Sequence, residues 1–110
     1  MRRFLTRSAD REKAADLQRI DPIKQSVNDA LQSLEAEKKG FESRVADATI
    51  RAAFIAGSDR DGESNREPAD NALLKQYEDQ IRHADARRKQ LDDLIANLKF
   101  IRAAVMTRLA

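Results

Sequence analysis

Two uninterrupted series of mainly apolar positions, each stepping alternately by four and three residues, constrain this chain more than any other feature. The first reads Ile20, Lys24, Val27, Leu31, Leu34, Lys38, Phe41, Val45, Ala48, Ala52, Ile55, and the second Leu74, Tyr77, Ile81, Ala84, Arg88, Leu91, Ile95, Leu98, Arg102, Val105, Leu109. Nine of the eleven positions in each are apolar, which is the heptad pattern of a helix that packs along one narrow stripe. Between them lies Gly57-Ser-Asp-Arg-Asp-Gly-Glu-Ser-Asn-Arg-Glu-Pro68, holding two of the three glycines and one of the two prolines. A segment of that composition turns the chain, so one long helix folds back on the other. The expected fold is all-α: a long antiparallel helical hairpin, that is, a two-helix coiled coil.

Local signals set the boundaries. Ser8 is a candidate N-cap for a short helix ending at Ile20. Pro22 breaks a helix interior but costs nothing at a first helical position, and Asp21 is a good cap in front of it. The main helix is therefore expected over 21–57, with residues 1–20 as a basic N-terminal arm or the far side of a kink. Gly57 offers a left-handed stop, and Gly40 falls on the outer face. The hinge is expected over 58–67 and the second helix over 68–109, with Pro68 in its first turn, Asp70 complementing its dipole and a competing capping box at Ser64–Glu67.

The preferred antiparallel register sets Ile55 on Leu74, Ala52 on Tyr77, Ala48 on Ile81 and Val45 on Ala84. It continues through Phe41 on Arg88 and Lys38 on Leu91 to Leu34 on Ile95, Val27 on Arg102 and Ile20 on Leu109. No layer then holds two charges, and each Lys or Arg stem lies over an apolar partner while its head reaches water. Arg88 is expected over Phe41 as a cation-π pair. A register one heptad shorter at the hinge sets Asp70 against Ala52 and ranks second.

The flanks of this pairing carry a conflict. Glu42 falls near Asp85 and Glu35 near Asp92 on an acidic edge, and Arg44 near Arg87 on a basic edge. Like charges facing each other are unfavourable in two helices but favourable if a second copy sets its acidic edge beside the basic one. The basic edge becomes apolar toward the chain ends, where Ile23, Ala30, Leu94 and Ile101 lie outside the seam. That widened stripe is the expected partner interface. A single seam with charged positions is a thin source of stability, so completion as a four-helix bundle through homodimerisation is expected, or else a stripe that receives the N-terminal arm or another protein.

Composition narrows the function. With 110 residues, 36% charged and 41% hydrophobic, no Trp and one Tyr, the chain makes one domain at most and has little from which to build a closed pocket. It has no Cys, which excludes disulfides and thiolate chemistry. Asp59-Arg-Asp61-Gly62 resembles part of a calcium loop, but alignment on Gly62 puts Pro68 where the last carboxylate belongs, so a solvated acidic turn is the reading. His83, the one histidine, falls on a polar face without companions for a metal site or a nucleophilic triad. No phosphate-binding glycine loop is present. No enzyme activity, cofactor or metal is expected.

The net charge is +2, with the basic surplus on residues 1–20 and 71–110. Arg2, Arg3, Arg7, Arg82, Arg87 and Lys89 are the candidate anion contacts, flanked by acidic residues and without the interleaved aromatics that stack on single strands. No apolar run approaches a membrane span, and a cytoplasmic location is the default expectation. The plan resembles the repressor-of-primer type of four-helix dimer and the coiled-coil stalk components of bacterial export machines, in architecture and without a shared residue motif. The small secreted hairpins with a Trp-x-Gly turn differ at that turn, which here has no Trp. The expected function is a non-enzymatic protein-protein interaction or assembly protein: a coiled-coil adaptor, chaperone or structural component. A nucleic-acid-binding accessory protein using the basic arm with Arg82, Arg87 and Lys89 ranks second.

Overall fold

The computed structural model describes residues 2–57 and 68–110, with side chains from Ser8 onward. The expected hinge at 58–67, the Asp59–Gly62 acidic turn, the Ser64–Glu67 capping box and the side chains of Arg2, Arg3 and Arg7 lie outside the described residues. Within them the chain forms two helices, α1 (Arg2–Gly57) and α2 (Pro68–Arg108), in a helical hairpin, and there is no strand among the described residues.

Every one of the predicted seam residues is buried or half-buried, while most other described positions are exposed. The heptad period is what achieves this: residues three and four apart share one face, so each helix withdraws a single stripe from water. Two compact units divide the chain. In the unit formed by Leu34–Leu94, Ala48, Ala84 and Leu91 are buried, and Leu91 has no exposed surface. In the unit formed by Met1–Ser33 with Ile95–Ala110, Leu31 and Ile95 are buried, with Ile20, Val27, Leu98, Val105 and Leu109 half-buried around them.

Contacts across the Leu34–Leu94 unit fix direction and register. The Lys38 ammonium lies 2.6 Å from an Asp92 oxygen, and the Arg51 guanidinium bonds the Tyr77 hydroxyl. As the α1 number rises the α2 number falls, so the helices are antiparallel. Asp92 adjoins Leu91, and Arg51 adjoins Ala52, the residue set against Tyr77. Both contacts agree with the preferred register and not with the one a heptad shorter.

Three local expectations change. α1 does not begin at Asp21 or Pro22 but runs through Pro22 from Arg2. Pro22 has no N-H for the Gln18 carbonyl, a real local cost. Around it, however, residues 11–20 are mostly strong helix formers, and Arg19 bridges Asp16 at 3.7 Å across the preceding turn. Ile20 and Lys24, one on each side of the proline, are both half-buried, so the seam continues through it. Ser8 accordingly lies inside the helix and is not a cap. Gly57 is the last residue of α1 but does not adopt the left-handed conformation. α2 is close to expectation, with Asp70 in its first turn, Arg108 in its last, and the Leu109 N-H donating to the Val105 carbonyl at 2.9 Å.

Pro22→Ala should raise the melting temperature followed by circular dichroism, because an interior proline is ~3 kcal/mol less favourable than alanine. An unchanged or lower value would mean that Pro22 sits at a helix start. Leu91→Ala should cost about 2–5 kcal/mol in the same measurement, and a loss below about 1 kcal/mol would contradict its place in the core.

Candidate functional site

The arrangement of the charged residues around the seam departs from the sequence expectation. Lys38 is a seam residue whose stem is partly covered and whose ammonium lies 2.6 Å from Asp92 and 3.9 Å from Glu42. A cation thus sits between carboxylates from the two helices. The hydrogen bond to Asp92 is the main cause that raises the Lys38 pKa above its ordinary value, with the charges of Asp92 and Glu42 adding to it and desolvation opposing. Asp85 is bridged by Arg88 at 3.4 Å. The acidic edge is therefore answered inside the hairpin by two seam cations.

The basic edge resolves in a similar way. Arg87 does not face Arg44; it donates to Glu37 at 3.0 Å and to Gln90 at 3.3 Å. The flexible guanidinium selects the carboxylate one α1 heptad away from Arg44. Arg88, committed to Asp85, is not the residue over Phe41. That place belongs to Arg44, whose guanidinium carbon lies 4.9 Å from the ring centroid. A residue three positions further along one helix reaches the ring face more directly than one from the opposite helix.

The seam is narrowest in side-chain volume at Ala48 and Ala84. These alanines lie in adjacent layers, against Ile81 and Val45, and a cleft of about 360 Å³ opens beside them on the basic edge. Phe41 and Tyr77 form apolar walls, while Arg44, Arg51, Gln80 and His83 bring donors and Asp47 one carboxylate. Arg51 is engaged by the Tyr77 hydroxyl and by Asp47 at 3.4 Å; these two raise its pKa further above the ordinary value, the hydroxyl contact first. A second hollow of about 330 Å³ adjoins the first, sharing Arg51 and Tyr77, and is otherwise lined by Ile50, Phe54, Ile55 and Leu73. Its surface is almost wholly apolar. Phe54 is 79% exposed and Ile50 69%, which makes them far more open than the residues expected at the interface.

Those residues are placed as follows. Ile23 and Ile101 are 49% and 46% exposed in the unit formed by Met1–Ser33 with Ile95–Ala110, where Ala30 is half-buried. Leu94 is 44% exposed in the Leu34–Leu94 unit. Phe100 and Met106 are exposed as well. Among the anion candidates, Arg82 is held by Asp79 at 3.3 Å and Arg87 by Glu37, while Lys89 is exposed. No group of described residues could hold a metal ion. No described helix is long and apolar enough to cross a membrane.

The Ile50–Phe54–Leu73 hollow was not anticipated from sequence. Its signal was the i,i+4 pair Ile50 and Phe54 lying wholly outside the seam, beside Leu73, which precedes the seam residue Leu74. Compared with protein-family models, curated proteins and solved structures, the chain matches none.

Lys38→Glu should lower the melting temperature by adding a carboxylate where one cation now serves two, and about 1 M salt, with its screening length of about 3 Å, should restore part of the loss. The wild-type stabilisation from Lys38 has the opposite pH sense to that of a carboxylate whose folded pKa is lowered by a cation. With its folded pKa raised, it is fully present below the ordinary lysine value of about 10.4 and is lost as pH rises through the folded value. A Lys38→Glu melt equal to wild type at low salt would contradict this arrangement.

Proposed function

We propose that this protein is a non-enzymatic interaction or assembly module, a helical hairpin whose Leu34–Leu94 unit receives an apolar segment of another polypeptide on its basic edge. The observation that carries this reading is the open hollow in which Ile50, Phe54, Ile55, Leu73 and Tyr77 converge. Exposed Phe and Ile at such density, contiguous and bordered by charge, is characteristic of a surface that works by being covered. Nothing in folding a two-helix object requires Ile50 or Phe54 to be apolar, since both point away from the seam.

Homodimerisation into a four-helix bundle remains part of the proposal, on narrower grounds. The like-charge conflict that pointed to a second copy is met within the hairpin by Lys38, Arg87 and Arg88. The apolar argument stands, through Ile23, Ala30 and Ile101 in one unit and Leu94 in the other. A nucleic-acid-binding role has less support, because Arg82 and Arg87 each already have a carboxylate partner.

The photo-crosslinker p-benzoylphenylalanine placed at Phe54 should give a discrete crosslinked polypeptide when the native cell is irradiated, and the same group at exposed Glu78, on the opposite edge, should not. The mass of the product distinguishes a second copy from another protein. No product at Phe54, or equal yields at both positions, would overturn the reading.

A further inference from the structure

The two hollows lie side by side on the basic edge, with Arg51 and Tyr77 lining both. One end is apolar, at Ile50, Phe54 and Leu73. The other is a cleft floored by Ala48 and Ala84 with Arg44 at its wall. Of the five described arginines in the Leu34–Leu94 unit, Arg51, Arg82, Arg87 and Arg88 each have a carboxylate within ion-pair distance. Arg44 is the exception among the described residues: its contact is the Phe41 ring. A guanidinium resting on an aromatic face is positioned sideways, with its N-H fork free to meet a planar acceptor. The Gln80 amide and the His83 ring lie in the same cleft and can add donors.

We infer that these two adjoining hollows recognise a partner helix carrying bulky apolar anchors and an acidic side chain, with the anchors in the Ile50–Phe54–Leu73 hollow and the carboxylate on Arg44. The spacing follows from α1 itself. Arg44 lies six residues from Ile50 and ten from Phe54, or about 9 and 15 Å along the axis at ~1.5 Å per residue. A helix lying alongside α1 therefore presents its Asp or Glu two to three turns from its anchors. The carboxylate is the specificity element and the apolar anchors supply most of the affinity, the usual division between buried anchors and charge complementarity. The inference deepens the interaction reading and rests on it.

A randomised library of helical peptides displayed on phage and selected on the whole chain tests it. Wild type should enrich peptides with two or more large apolar residues and, about six to ten positions away, Asp or Glu. Selection on Arg44→Glu should keep the apolar anchors and replace the acidic residue by Lys or Arg, and an acidic peptide selected on wild type should bind this variant at least ~10-fold more weakly, a change of about 1.4 kcal/mol. Arg44→Gln, which removes the charge without reversing it, should fall between. Phe54→Ser should lose the apolar anchors. Apolar peptides without a charged position, or an acidic preference unchanged on Arg44→Glu, would overturn the inference and leave the interaction reading intact. If no peptide is enriched over a scrambled helical control, both fall.

Discussion

The antiparallel pairing of two heptad seams, with its register set by contacts in the Leu34–Leu94 unit, is the interaction on which the rest of this structure depends. Each helix has one apolar stripe, and the hairpin buries each stripe against the other. Leu31, Leu91 and Ile95 withdraw from water almost completely, while the flanks of both helices stay in solvent. A two-helix object has no second layer to cover apolar residues outside the stripe. Ile50, Phe54, Leu73, Leu94 and Phe100 are therefore exposed as a direct consequence of the fold's economy. Folding of the hairpin leaves them uncovered.

The seam also decides where charge goes. Lys38 and Arg88 occupy positions that a stronger coiled coil would give to leucine or isoleucine. Each sends its charged end out of the seam, to Asp92 and Glu42 in one case and Asp85 in the other. A cation that starts in the seam can reach carboxylates on both helices, which a cation on an outer face cannot. Such exposed pairs add little stability individually, but they remove a repulsion that would otherwise oppose the register. The same accounting on the opposite edge leaves Arg44 over Phe41, beside adjacent layers made shallow by Ala48 and Ala84. Small seam residues, with an arginine that has no carboxylate partner among the described residues, turn an edge into a cleft.

Much of the fold was legible because it is written in periodicity. The seam residues are non-exposed as a set, and Pro68 and Asp70 mark the start of α2. Pro22 misled because a proline signal is local, whereas the helix around it is held by a seam that passes through Ile20 and Lys24 and by strong helix formers upstream. The site was less legible. A heptad reading pairs residues at ideal positions, but Arg87 and Arg44 have several rotatable bonds and choose among neighbours a turn apart. That freedom turned an expected Arg44–Arg87 repulsion into the Arg87–Glu37 pair and moved the cation over Phe41 from Arg88 to Arg44. The cleft beside Ala48 and Ala84 depends on volume left unfilled between helices, which periodicity does not report.

Because the chain has no native cysteine, disulfide trapping measures the register directly. In the register described, Ala48 faces Ile81, whereas one heptad shorter at the hinge it faces Leu74, displaced by about 10 Å along α2. Cysteines bridge when their Cα atoms lie within about 7 Å. The account predicts that an Ala48→Cys, Ile81→Cys chain oxidises rapidly to an intrachain disulfide and melts at higher temperature, while Ala48→Cys, Leu74→Cys stays reduced under the same conditions. Ready closure of the second pair, with the first remaining open, would contradict the register and with it the cleft and hollow built on it.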